Sequence, residues 1–274
     1  MTSEVRDERA DEREHPTFDT GVAHVARVYN YWLGGKDNYA ADRAAGDAAI
    51  EAYPDLVASV RANRAFLARS VKYLVEQAGV RQFLDIGTGI PSANNTHEVA
   101  QAQAPDSRVV YVDNDPVVLA HARALLTGSS QGATAYIDAD LRDLDAILTQ
   151  AKQTLDFSRP VAVMLIAVLH MIGEEDQPHA IVAKLMEAVP SGSYLALSHV
   201  AKDIAPEQQA EAARRYNRMA HDKQNHRTHP EVVRFFSGLE LIEPGVVAVQ
   251  QWRPESDAQA KSPSAMWGGV GRKP

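Results

Sequence analysis

Between Val22 and Ala78 the apolar positions recur at intervals of three and four, the period of amphipathic helices. The run LVASVRANRAFLARSVKYLV, Leu56 to Val75, predicts one long helix with an arginine-rich polar face. Ahead of it the pattern breaks at Gly34-Gly35 and at Lys36-Asp37-Asn38, residue types that supply the positive φ angles of tight turns, so a helix is expected on each side of that break. Beyond residue 79 the texture changes. Short apolar runs, QFLDI, RVVYVD, ATAYID, VAVMLIAVL and SYLALSH, alternate with stretches of helical period. Alternation of this kind predicts βαβ units and a mostly parallel sheet covered on both faces. Val109 to Val112 and Val161 to Val168 are nearly continuous in apolar residues, as central strands should be. MWGGVGRKP at the end reads as a last strand and ESDAQAKSPSA (255–265) as a linker.

Composition narrows the classes. A chain of 274 residues can bury a core and carry an elaborated pocket. With no cysteine, thiol chemistry and cysteine-ligated metal sites are out, and a reducing, cytoplasmic setting is expected. Residues 1–17 alternate acids and arginines with no apolar run, which predicts a disordered tail and no signal peptide. The longest apolar run, Val161 to Leu169, is too short to span a bilayer, so a soluble protein with no membrane partner is expected. A net charge of -8 gives no general attraction to phosphate backbones. Arg214, Arg215, Arg218, Lys223 and Arg227 cluster, but Glu207, Glu211 and Asp222 are interleaved, which describes a solvated amphipathic helix and disfavours nucleic acid.

The sharpest chemical signal is FLDIGTGIP, residues 83–91. Gly87-Thr88-Gly89 puts two glycines where a strand turns sharply into a helix, letting backbone N–H groups approach a ligand. Pro91 fits a first helical turn, with Ser92 and Asn94 able to help cap it. Asp113 ends the next strand 24 residues after Gly89, where an acid can accept from both hydroxyls of a ribose. Asp140, near the end of the third strand, could accept from an adenine amino group while Leu141 packs on the ring. Taken singly, each element can be a turn or a helix cap; in this order they read as one βαβαβ nucleoside-binding unit. A dinucleotide site would want a third glycine where Ser92 stands, and Asp85 would repel a pyrophosphate but could receive the ammonium of an amino-acid moiety. S-adenosylmethionine (SAM) carries both adenosine and that ammonium.

These residues resemble the class I SAM-dependent methyltransferases, and within them the actinobacterial S-adenosyl methyltransferase family once catalogued as a domain of unknown function. The likeness runs from about Phe18 to the end and rests on ARVYNYWLGGKDNYAADR (26–43), NRAFLARSVKYL (63–74), QFLDIGTGIPSANNTHEVAQ (82–101), VVYVDNDPVVLAHARALL (109–126), AVLHMI (167–172), GSYLALSH (192–199) and LELIEPGVVAVQQWRP (239–254). It implies a Rossmann-like α/β fold: a seven-stranded sheet, mostly parallel with the last strand antiparallel, capped by the N-terminal helices. The expected division is a cap over 18–78 and a SAM-binding domain over 79–274 with a helical insertion at about 200–236. By motif position Asp85, Gly87 and Gly89, with Thr88 between them, would hold the methionine half, Asp113 and Asn114 the ribose end, and Asp140 with Leu141 the adenine. Ala167 to His170 would line the methyl-transfer site. Pro91 departs from the wider superfamily, which usually has a third glycine there.

Methyl transfer from a sulfonium needs mainly positioning and exclusion of water, so no general base is obligatory. If there is one, His170 and His199 are the candidates, each open also to a purely structural reading. The segment YNYWLGGKDNY reads either as a lid ordering over SAM or as a helical hairpin docked by its aromatics. As a lid it would place Tyr31 and Gly35 against the cofactor and make Tyr39 a second catalytic candidate. Arg64 could neutralise the SAM carboxylate. His221, His226 and His229 lack a ligand pattern, and no metal is predicted. The expected activity is methyl transfer from SAM, with S-adenosylhomocysteine (SAH) as product, to a small-molecule acceptor. A non-catalytic SAM or SAH sensor or scaffold is the alternative, and an NAD-dependent oxidoreductase is disfavoured by the Ser92 register.

Overall fold

The computed structural model describes residues 19–125 and 129–274; the expected tail, 1–17, lies outside them. Three helices come first: α1 (Val25–Trp32), α2 (Ala40–Ala52) and α3 (Leu56–Glu76). Asn30 organises the turn that ends α1. Its side-chain oxygen accepts from the Asp37 N–H and from Asn38 Nδ2, while its carbonyl accepts from the Gly35 N–H. Asp42 closes a capping box at the start of α2, accepting from the Tyr39 N–H at 2.8 Å.

The β/α part follows as β1 (Gln82–Ile86), α4 (Thr96–Gln103), β2 (Arg108–Asp113), α5 (Pro116–Leu125), β3 (Ala133–Asp138), α6 (Leu144–Ala151), β4 (Ala162–Ile166), α7 (Pro178–Ala188) and β5 (Tyr194–Val200). These five strands are parallel, in the order β3-β2-β1-β4-β5. After β5 come α8 (Pro206–Met219), α9 (His229–Val233), β6 (Glu240–Leu241), β7 (Val247–Ala248), α10 (Asp257–Ala260) and β8 (Met266–Arg272). β8 runs antiparallel to β5 along its whole length, and β6 and β7 both pair β8. Among the described residues the expected seven strands thus become eight. The outer edge is cut in two at Pro244-Gly245, where proline offers no N–H and Gly245 takes φ +86. The supposed 255–265 linker contains α10.

Alternation along the strands assigns two cores. Leu84, Ile86, Val110 and Val112 face a cluster with α6 and α7, whereas Phe83, Val109 and Tyr111 face a cluster with α3. Asp85 and Asp113 share the parity of that second set. They emerge on the α3 and α4 side, at the end of strands whose order reverses between β2-β1 and β1-β4, which is where open α/β sheets form a crevice. A third cluster joins α1, α2, α3 and α8 through Val28, Trp32, Ala45, Val60, Ala212 and Tyr216, seating the N-terminal helices on α8. Among the described residues no helix is long and apolar enough to cross a membrane.

Candidate functional site

Backbone geometry at the end of β1 explains both glycines. Gly87 has φ +73, and a Cβ there would lie 2.3 Å from Val168 Cγ2; Gly89 has φ +66, with open space where its Cβ would stand. One glycine is needed for packing and conformation, the other for conformation and for the void beside it. The Gly89 N–H donates to Asp113 Oδ2 at 2.8 Å, and the Asp115 N–H donates to Asp113 Oδ1 at 3.0 Å. Asp113 therefore ties the loop to β2, and burial pushes its carboxyl above the usual range. The Thr88 hydroxyl meets Tyr136 Oη at 3.0 Å. The expected helical start at Pro91 is not formed: α4 begins at Thr96 behind an Asn95 cap with its Glu98 partner, leaving Pro91, Ser92 and Asn94 in the loop. Asn95 and Glu98 make the better cap because each satisfies the other's backbone N–H.

Asp85 is buried beneath this loop, accepting from Thr96 Oγ1 at 2.6 Å. Burial raises its carboxyl to about 6, against the opposing pull of the Thr96 hydroxyl and the Arg64 charge. Arg64, on α3, reaches across to donate to the carbonyls of Ala93 and Asn94 at 3.0 and 3.1 Å. Just past β2, Asn114 Nδ2 donates at 3.1 Å to Oδ2 of Asp140, which lies just past β3 and is followed by the buried Leu141. Asp85, Gly87, Thr88, Gly89, Asp113, Asn114, Asp140, Leu141, Ala167 and Arg64 all line one cleft of 1030 Å³, part of it open to solvent.

The fourth strand stops earlier than its apolar run suggests. Ala167 takes φ +54, and its N–H donates to Ser198 Oγ and to the Ser198 carbonyl, so Val168 to Met171 form a turn and not strand. A left-handed alanine is strained, and here it sits on the cleft wall. His170 is turned away from the cleft into an adjoining chamber. Burial, then the nearby His199, His226 and Arg227, drive it well below the usual histidine range. His199 is also neutral, driven down to about 3 chiefly by burial. Its Nε2 lies 2.8 Å from Arg227 Nη1, which can only donate, so the ring proton sits on Nδ1 and points at the Val200 carbonyl, 2.9 Å away. Arg227 overturns the reading of the basic cluster as one solvated helix. It is buried, beyond the end of α8, and its guanidinium binds the Leu169 and Ile172 carbonyls, Glu174 and His199.

A family model described as S-adenosyl methyltransferase matches residues 11–274. The chain belongs to the S-adenosyl methyltransferase family. Comparison with curated proteins finds no match. A DUF574 family protein of Streptomyces avermitilis is 48% identical, with TM-score 0.90, over 93% of this chain and 99% of that one. A Thermobifida fusca protein is 41% identical, with TM-score 0.85, over 93% and 96%. An Anabaena variabilis SAM-dependent methyltransferase, 11% identical with TM-score 0.51 over 94% and 98%, shares the fold. The protein is thus a SAM-dependent methyltransferase with a Rossmann-like sheet, and SAM is its methyl donor.

In this methyltransferase three expected site residues besides His170 are not brought to the cleft. Tyr31 Oη donates to Asp47 Oδ1 at 2.6 Å, Gly35 packs against the Asn30 side chain, and Tyr39 stands at the N-terminus of α2 under Arg27. Trp32 is buried in the helical cluster, so the segment sits as a docked hairpin and not as a lid. Tyr29 alone of its aromatics reaches the cleft, its hydroxyl accepting from Asn63 Nδ2 at 3.0 Å. His24, Asn63, Met171 and Asp222 line the cleft without having been singled out. His24 forms an ion pair with Asp115 at 2.7 Å and lies 3.7 Å from Asp222, and the His221 N–H donates to the Ala23 carbonyl, bringing the segment after α8 over the cleft mouth. No local pattern announces such a contact; only the chain's return after β5 makes it. His221 is exposed, His226 bonds Gln224, and His229 bonds the Val246 carbonyl, three separate directions.

Proposed function

We propose that the cleft is the SAM site and that the acceptor is a small molecule. The observation that carries this reading is the charge and shape of the cleft. Among the described lining residues Asp85, Asp113, Asp140 and Asp222 outnumber the cations Arg64, Arg142 and His24, so the cleft favours a cation and resists a pyrophosphate. SAM is a sulfonium bearing an ammonium, and the residues fit its parts. Asp85 would take the ammonium and Arg64 the carboxylate. Gly87, Thr88 and Gly89 would admit the chain past their backbone, Asp113 and Asn114 would take the ribose, and Asp140 with Leu141 the adenine. Ala167 would stand beside the methyl group. When bound, SAM supplies a methyl carbon whose bond to sulfur breaks, leaving the pair on sulfur as SAH, while the acceptor atom bonds that carbon and loses its proton. The chain's contribution is to orient the two partners and exclude water, for which helices α1 to α3 and the 200–236 segment form the cover. The absence of cysteine supports a cytoplasmic setting.

Amide hydrogen exchange with and without SAH tests the assignment. Protection is expected at residues 85–90, 113–115 and 139–142. Protection confined to other segments would refute it.

A further inference from the structure

Behind Ala167 and Tyr29 the cleft adjoins a narrow second chamber of about 610 Å³, part of it open to solvent, with Val25, Tyr29 and Ala167 in the walls of both. Helices α1, α2, α3 and α8 and the end of β5 line it. Its surface is aromatic and aliphatic, with Trp32, Tyr53, Leu56 and Val60 among its walls, and no lining side chain among the described residues carries a formal charge. Yet two deeply buried polar atoms on its walls have no hydrogen-bond partner among the described residues: Tyr216 Oη, on a residue 1% exposed, and His170 Nδ1, on one 5% exposed. Gln209, 6% exposed, lines the same space. Unpaired polar groups at such depth cost stability, and a wall that carries two of them is built for something that pairs with them.

We propose that this chamber is the acceptor pocket and that the acceptor is a small, neutral, flat molecule bearing a hydroxyl or N–H. Tyr216 Oη and His170 Nδ1 hydrogen-bond that group while the aromatic walls cover its faces. The proposal rests on the reading of the cleft as the SAM site, because the shared wall at Ala167 then joins methyl donor to acceptor. A charged acceptor would lose its hydration with no counter-ion to replace it. The neutrality of the buried His170 imidazole agrees with this choice.

The test uses the full chain saturated with SAH and three probes of one shape, 4-methylphenol, p-xylene and 4-hydroxybenzoate, followed by ligand-observed NMR titration. The expected order has 4-methylphenol binding roughly tenfold more tightly than p-xylene, the worth of one buried hydrogen bond, and more tightly than the charged probe by at least that factor. Tyr216→Phe should cut the advantage of the phenol over the xylene several-fold, leaving what the His170 Nδ1 bond contributes. Ala212→Phe, which fills the chamber, should remove 4-methylphenol binding while SAH affinity stays within about twofold; if that variant does not fold, the Tyr216→Phe comparison decides alone. Retained SAH binding with no binding of 4-methylphenol, equal binding of phenol and xylene, or insensitivity to both variants would overturn the proposal and leave the SAM site standing. Failure of the wild-type protein to bind SAH would overturn both.

Discussion

At Asp85 burial works against the charge. Its carboxyl ionises at about 6 in the folded chain against 3.8 as the ordinary value. The folded state therefore holds this proton more tightly than the unfolded state, and the contribution of Asp85 to stability falls as pH rises from about 4 to about 6. The loss amounts to about 3 kcal/mol above that window, at about 1.36 kcal/mol per unit. Asp85→Asn should accordingly raise the stability of the cofactor-free protein at pH 7.5 and leave it unchanged at pH 3.5, as read by urea denaturation. The same substitution should weaken SAM binding at pH 7.5. In the wild type, SAM affinity should decline below pH 6 as the carboxylate that receives the ammonium is lost, and in Asp85→Asn that decline should vanish. Equal stability of the two proteins at pH 7.5 would contradict the assignment. The two glycines separate in a similar way. Gly87→Ala meets Val168 and a left-handed φ together, so it should cost upward of about 2 kcal/mol in stability. Gly89→Ala pays the conformational cost alone, about 1–2 kcal/mol, and its larger effect should be a loss of SAH affinity of at least tenfold, since its Cβ enters the open cleft. A reversed pattern in paired denaturation and calorimetry would refute this division.

Among the elements, the turn after β4 depends on a residue far away in sequence. Arg227 holds the carbonyls of Leu169 and Ile172 and the side chain of Glu174, and it fixes the tautomer of His199. Arg227→Met should leave two buried carbonyls short of a donor and cost about 2–4 kcal/mol in urea denaturation, with loosening centred on residues 168–174 by hydrogen exchange. A cost below about 0.5 kcal/mol would show that the guanidinium is incidental. This contact marks a boundary of what could be read from the chain. The long helix α3, the break at Gly34-Gly35 and the strand-loop-strand path from β1 to Asp113 were legible because each is set by near neighbours: helical period, positive φ and an acid at a strand end. Arg227, Tyr216 and Gln209 were not, because arginine between acids looks solvated and Tyr216 and Gln209 carry no motif; what buries them is packing against α2 and the β4 turn. His170 was legible as a candidate, but the sharp bend at Ala167 that turns it into the second chamber was hidden in a continuous apolar run. Tyr31, Gly35 and Tyr39 stand away from the cleft, where Tyr31 bonds Asp47, Gly35 lies against Asn30 and Tyr39 precedes α2.

For the whole molecule, the sheet and its two covering layers serve to bring four acidic side chains to one crevice and to roof it with helices that share a core with α8. The central claim is that this crevice binds SAM with Asp113 at its ribose end. Calorimetric titration of the purified protein with SAM, SAH and NAD, repeated on Asp113→Ala, tests it most directly. SAM and SAH should bind in the micromolar range, NAD should not, and the variant should lose at least tenfold in affinity while staying folded. Preference for NAD, or undiminished SAM binding by Asp113→Ala, would contradict the account.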